Sequence, residues 1–185
     1  MDAVTVREKQ MMRISACATL SLLAGCTAMA PPSAAIPDAL KVPDTQKLKY
    51  VVKGTGMQIY VCRRSKEAAT EYAWDFTAPE AQLTDLAGQP FGHHFAGPTW
   101  EALDGSRVAG QVKSRDVGPD GTAIPWLLLT ATSSSDTGKL AAIKSIQRLK
   151  TVGGQAPASG CTADSADQTL RVPYQAEYRF YVSKP

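Results

Sequence analysis

Only two histidines, four cysteines and 7% aromatic residues occur in this chain of 185 residues, and its formal net charge is +3. A charge that small, with no basic run interleaved with aromatics, gives no footing for nucleic acid, and none is expected as a partner. No apolar run approaches the ~20 residues that a membrane-spanning helix needs. CxxC, GxSxG and SxxK are all missing, which removes the usual thiol-redox and serine-nucleophile signatures. Gly54-Thr55-Gly56 lacks the third glycine of a dinucleotide loop and leads into β-branched residues instead of a helix. No cofactor is expected. With 44% hydrophobic and 20% charged residues the chain is ordinary for a globular domain, and global disorder is not expected.

The N-terminus is the most specific feature present. Arg13 precedes an apolar run from Ile14 to Ala24, about a dozen residues, the length of a signal-peptide core. The polar first ten residues make an unusual leader, and Met11 or Met12 is an alternative start. Leu23-Ala24-Gly25-Cys26 resembles the lipobox of bacterial lipoproteins, which implies cleavage before Cys26 and a diacylglyceryl group on its thiol. The chain is therefore expected to meet the membrane through a lipid anchor at Cys26. Thr27 is not the aspartate associated with inner-membrane retention, so the expected place is the cell envelope, at the outer membrane facing the periplasm. The expected division is a signal peptide over 1–25, an Ala/Pro-rich tether over 26–46 and a domain over 47–185. Losing residues 1–25 leaves 17 basic and 15 acidic residues, a net of +2. Cys62 and Cys161 then remain as the only thiols beside the lipidated one, and an oxidising compartment makes them a disulfide.

From Leu48 onward the pattern is β. Lys49–Lys53 and Met57–Cys62 read as two short strands around a glycine turn or bulge. Tyr72, Trp74 and Phe76 alternate onto one face of a third strand and read as core. Ile124 to Thr130 is a continuous apolar run suited to a strand buried on both faces, with Pro125 at its start or at an edge. Leu140 to Val152 is ambiguous: Ile143, Ile146 and Leu149 have helical spacing, but the setting favours a strand in its second half. Val172, Tyr174, Ala176, Tyr178, Phe180 and Val182 share one face of the clearest strand. Many short strands at this spacing predict a mainly β, single-domain fold, an antiparallel β-sandwich or a small β-barrel, with few or no helices beyond the signal peptide.

Unusual residues concentrate between Gly88 and Val108, which hold both histidines, Trp100, four glycines and two prolines. Asp104-Gly105 signals a hairpin. A two-residue loop would set Glu101 against Val108 and drag a carboxylate onto the apolar face. A three-residue loop, Leu103-Asp104-Gly105, sets Trp100 against Val108 inside and Glu101 against Arg107 outside, and is the expected register. Adjacent His93 and His94 point to opposite faces of a strand and cannot easily chelate one ion, so no metal site is expected. His94 is the expected inward residue, fixing the Gly97-Pro98 turn. Ser106, two residues after Asp104, reads as a turn hydroxyl.

Gln58–Cys62, Trp74, Ala78–Ala81, His94–Glu101, Asp104–Ser106, Ile124–Leu129, Gln147-Arg148, Thr151–Gly154, Cys161 and Pro173-Tyr174 together resemble the pattern of domain of unknown function DUF3455. The resemblance spans nearly all of 48–182. It implies a secreted or envelope domain and carries no reaction, ligand or catalytic residue.

The leading functional expectation is a lipid-anchored envelope domain that binds a ligand or partner, with His94, Trp100 and Trp74 as ligand-binding candidates and a small molecule or glycan as ligand. The alternative is an envelope hydrolase or metal-binding protein built around His94 with Glu101 or Asp104. The balance leans away from an enzyme. A pocket joining His94 to a carboxylate would favour the alternative. A sealed His94 bonded to backbone, with Glu101 turned outward to Arg107, would count against it.

Overall fold

The computed structural model describes residues 34–65 and 71–185. The signal peptide, Cys26 and the first part of the tether lie outside the described residues. Eight strands run in chain order: β1 (Gln46–Arg64), β2 (Tyr72–Thr84), β3 (Pro90–Phe95), β4 (Thr99–Ala102), β5 (Arg107–Asp116), β6 (Trp126–Ser134), β7 (Ile143–Gly153) and β8 (Thr169–Ser183). Each pairs antiparallel with its neighbour, and β8 returns to pair along β1, so the sheet closes as a barrel. Closure removes the unpaired edges that an open sheet would offer to other chains. Helical structure among the described residues is limited to two single 3₁₀ turns, Asp38–Leu40 and Ala163–Ser165. Residues 34–185 form one compact unit that contains every strand pairing, both core clusters and the disulfide, and so all the contacts a folding unit needs.

Two cores result, one on each side of the barrel wall. Inside, Val52, Leu83, Phe91, Trp100, Val108, Leu129, Ile146, Tyr178 and Phe180 pack together. Outside, Trp126, Leu128 and Leu149 are covered by Leu40, with Ile36 and Val42 beside it. This second core explains why Trp126 to Leu129 are buried on both faces: the barrel interior takes one parity and the N-terminal strap takes the other. Pro125 lies just before the strand, where no ladder hydrogen bond is needed. The strap occupies part of the expected tether. Leu40 is fully buried, and its carbonyl accepts a 2.6 Å bond from Gln147 Nε2, so the segment does more than space the domain from its anchor.

Two expectations need correction. Gly54 and Gly56 do not turn the chain, because β1 is one strand of 19 residues. They allow close approach: a Cβ on Gly54 would lie 2.7 Å from the Tyr178 ring, and one on Gly56 would meet the backbone of Glu80 and Ala81. The aromatics of β2 are not core. Tyr72 and Trp74 are half-buried and Phe76 is 49% exposed. The pairing shifts between Ile59 opposite Ala78 and Tyr60 opposite Phe76, leaving Thr77 as an extra residue. Phe76 and Trp74 therefore share the face of Tyr60 and Cys62 with Pro79, Ala81 and Leu83, but they lie at the end of β2 where that face is no longer packed over. The ambiguous stretch from Leu140 to Val152 resolves as the strand favoured for its second half, which begins earlier, at Ile143.

Candidate functional site

The hairpin of β4 and β5 has the three-residue loop. Trp100 pairs with Val108 and Glu101 with Arg107, while Ala102 N donates to Ser106 O across the turn at 2.9 Å. Gly105 takes φ 81°, the left-handed conformation that such a loop requires. Glu101 therefore faces outward, with Arg107 Nη2 donating to Oε1 at 3.1 Å and Nε lying 3.0 Å from Oε2. Asp104 is fastened within the turn: its Oδ1 accepts the Ser106 hydroxyl at 2.6 Å and its Oδ2 accepts Lys139 N at 2.7 Å. These bonds, the Ser106 hydroxyl first, hold its carboxyl down at about 2.

His94 points inward from β3 and is 3% exposed. Its Nδ1 lies 2.8 Å from the Thr99 carbonyl, an acceptor, so Nδ1 carries the proton and donates. The ring stacks on Trp100 at 4.3 Å and 8° and meets Tyr178 edge-on at 5.0 Å. Burial, with the Arg148 charge adding to it, pushes its pKa down to about 3 against the pull of the Thr99 bond. His94 is therefore a neutral ring at neutral pH.

The same wall bounds a cavity of about 490 Å³ in the half of the barrel nearest the β1–β2, β3–β4 and β5–β6 connections. Eight-stranded barrels are just wide enough to be filled by side chains or to hold one small ligand, and here filling stops short. Much of the lining is apolar, including Pro79, Pro98, Trp100, Ile124, Leu127 and Leu129. Among the described residues the polar lining comprises Gln58, Tyr60, Thr77, His94, Arg115, Arg148 and Tyr178, and contains no aspartate or glutamate. Arg148 gives Nε and Nη2 to the Pro125 carbonyl at 3.1 and 2.9 Å and stands beside the hydroxyls of Tyr178, Tyr174 and Tyr60. Tyr60 donates to Gly154 O at 2.7 Å, and the Tyr174 and Tyr178 hydroxyls are 3.1 Å apart. Two buried donors in this wall are left over. Trp100 Nε1 has no partner, and Gln58 Nε2, although beside the Tyr174 hydroxyl, completes no hydrogen bond.

The structure thus brings His94, Trp100 and the Gly97-Pro98 turn to one cavity and leaves Glu101 and Asp104 out of it. Trp74 is not in the lining; its indole donates to Ser159 O at 3.1 Å, and Phe76 takes the position at the cavity instead. Arg148, Gln58, Tyr60 and Tyr178 were not singled out as site residues. An arginine two positions from Ile146, and so on the same face of an extended strand, was the available signal, and leaving the stretch open between helix and strand hides it. Cys62 and Cys161 form the expected disulfide, tying the end of β1 to the loop before β8.

No curated protein and no solved structure matches the chain significantly. The family model for the protein of unknown function DUF3455 does match, over residues 43–182, and its span takes in every strand that lines the cavity but not Leu40 of the strap. With most of its length matched, the chain belongs to the DUF3455 family.

Proposed function

We propose that this protein is a binding module of the bacterial envelope, lipid-anchored at Cys26 on the periplasmic side of the outer membrane, which takes a small ligand into the barrel cavity. The observation that carries the binding reading is the cavity of about 490 Å³ inside the barrel, walled largely by apolar side chains with the Arg148 guanidinium among them. Hydrolysis is the weaker reading. His94 spends its proton on a backbone carbonyl, and the acids once considered with it face elsewhere, Glu101 toward Arg107 and Asp104 into its own turn. The anchor rests on the Leu23–Cys26 motif and its short apolar core.

Two measurements test this reading. Intact-mass analysis of the full chain expressed in a bacterium is expected to show a product beginning at Cys26 with added acyl mass, and Cys26→Ala is expected to abolish it. An unmodified Cys26 removes the anchor. Organic extraction of the purified unit from Ala34 onward, followed by mass spectrometry and metal analysis, is expected to release a small molecule in stoichiometric amount. An empty extract, with no shift in melting temperature on adding an envelope lipid and glycan extract, removes the binding reading.

A further inference from the structure

The charge and the apolar walls of the cavity define a ligand class, an inference that rests on the binding reading above. Arg148 is the cation that reaches furthest in. An arginine carries five N–H groups, and the Pro125 carbonyl takes one from Nε and one from Nη2. Two on Nη1 and the second on Nη2 are not taken by Pro125, and although the Tyr178 hydroxyl also reaches the guanidinium, these groups can form the edge that binds a carboxylate in two parallel hydrogen bonds. Among the described residues no carboxylate forms an ion pair with Arg148, and the groups around it are tyrosine hydroxyls, which burial keeps neutral. Arg115 adds a second, exposed cation to the lining.

Burying a cation without a counter-charge is costly, and a neutral His94 supplies no compensation. The cavity therefore offers a guanidinium with unspent donors, set in walls that are largely aliphatic and aromatic. A sugar is a poorer match, because its hydroxyls bring no charge to set against Arg148. A cation is excluded by sign. We infer that the ligand is an amphipathic monocarboxylate, its head held by Arg148 and its apolar body lying among Trp100, Ile124, Leu127 and Leu129.

The test compares head groups on one body, using calorimetry and tryptophan quenching on the purified unit from Ala34 onward. The probes are decanoate against decanamide and naphthoate against naphthamide, with decylamine as the opposite charge and decyl phosphate as a different oxyanion. At least one carboxylate is expected to bind about tenfold or more tighter than its amide, the worth of a charge-assisted pair, and decylamine is expected not to bind. Arg148→Met is expected to erase that preference, so that carboxylate and amide bind the variant equally. Arg148→Lys, which keeps the charge and loses the fork, is expected to fall between, and supplies the comparison if Arg148→Met does not fold. Amides binding as tightly as the carboxylates overturn the anionic class and leave ligand binding standing. A preference for decyl phosphate over decanoate overturns the carboxylate assignment. A preference that survives in a folded Arg148→Met overturns the assigned residue. If no probe binds the folded protein the inference fails, and the extraction experiment decides separately whether the cavity takes any ligand.

Discussion

His94 shows how one environment decides what a residue can do. The ring is stacked, hydrogen-bonded through Nδ1 and cut off from solvent, so its folded pKa is about 3 against an ordinary 6.5. Between those values the unfolded chain binds a proton that the folded one refuses. Stability is therefore complete above about pH 6.5 and falls as the pH drops toward 3, by no more than about 1.4 kcal/mol per pH unit from this one group. Asp104 also favours the folded state at high pH, but its window opens only below its ordinary value of 3.8. Thermal melts between pH 7.5 and 4.5 should show a decline that His94→Gln largely removes. That variant should also be less stable at neutral pH by about 1–3 kcal/mol if its amide fails to reach the Thr99 carbonyl. An unchanged slope would mean that His94 is not sealed.

At the scale of elements, the strap and the glycines of β1 do opposite jobs. Leu40 adds bulk where the barrel wall turns an apolar stripe outward. Gly54 and Gly56 withhold bulk where neighbouring strands and the Tyr178 ring crowd the wall. Truncating Leu40 to alanine should cost about 2–5 kcal/mol, as for other fully buried leucines, because Trp126, Leu128 and Leu149 lose their cover. Urea denaturation of the unit from Ala34 onward, with and without Leu40→Ala, measures this. A loss below 0.5 kcal/mol, the range of ordinary surface changes, would show the strap to be dispensable. The strap lies in a segment whose alanines and prolines read as a tether, and only the apolar outer face of β6 and β7 gives Ile36, Leu40 and Val42 something to bury against.

For the whole molecule, closure organises both stability and site. A ring of long antiparallel strands depends on contacts far apart in the chain, above all the pairing of β1 with β8. The Cys62–Cys161 bridge, with a separation of 99 residues, limits the unfolded chain's freedom along much of that length. The chain-entropy account puts its removal at up to about 4–5 kcal/mol. Guanidinium melts of the wild type with and without reductant, and of the Cys62→Ala/Cys161→Ala double variant, are expected to show a matching loss of about 2–5 kcal/mol. A loss confined to the reductant-treated wild type would assign the effect to the free thiols instead of to chain entropy.

Periodicity and turn chemistry are local, and they were enough for the β class, the last strand, the turn signals and the β4–β5 register, since alternating parity and an Asp-Gly loop leave one arrangement that satisfies both faces. The inward turn of His94 followed from the same parity. What local pattern cannot carry is which faces meet after closure. The bulge at Thr77 kept Phe76 and Trp74 on the face of Tyr60 and Cys62, but at the end of β2, where Phe76 borders the cavity instead of filling the core. Closure of β8 on β1 and its pairing with β7 brought Tyr178 and Arg148 to the cavity that holds His94 and Trp100. Its positive, largely apolar lining, with no acid among the described residues, is built from side chains far apart in sequence, and only the tertiary structure gathers them around one cavity.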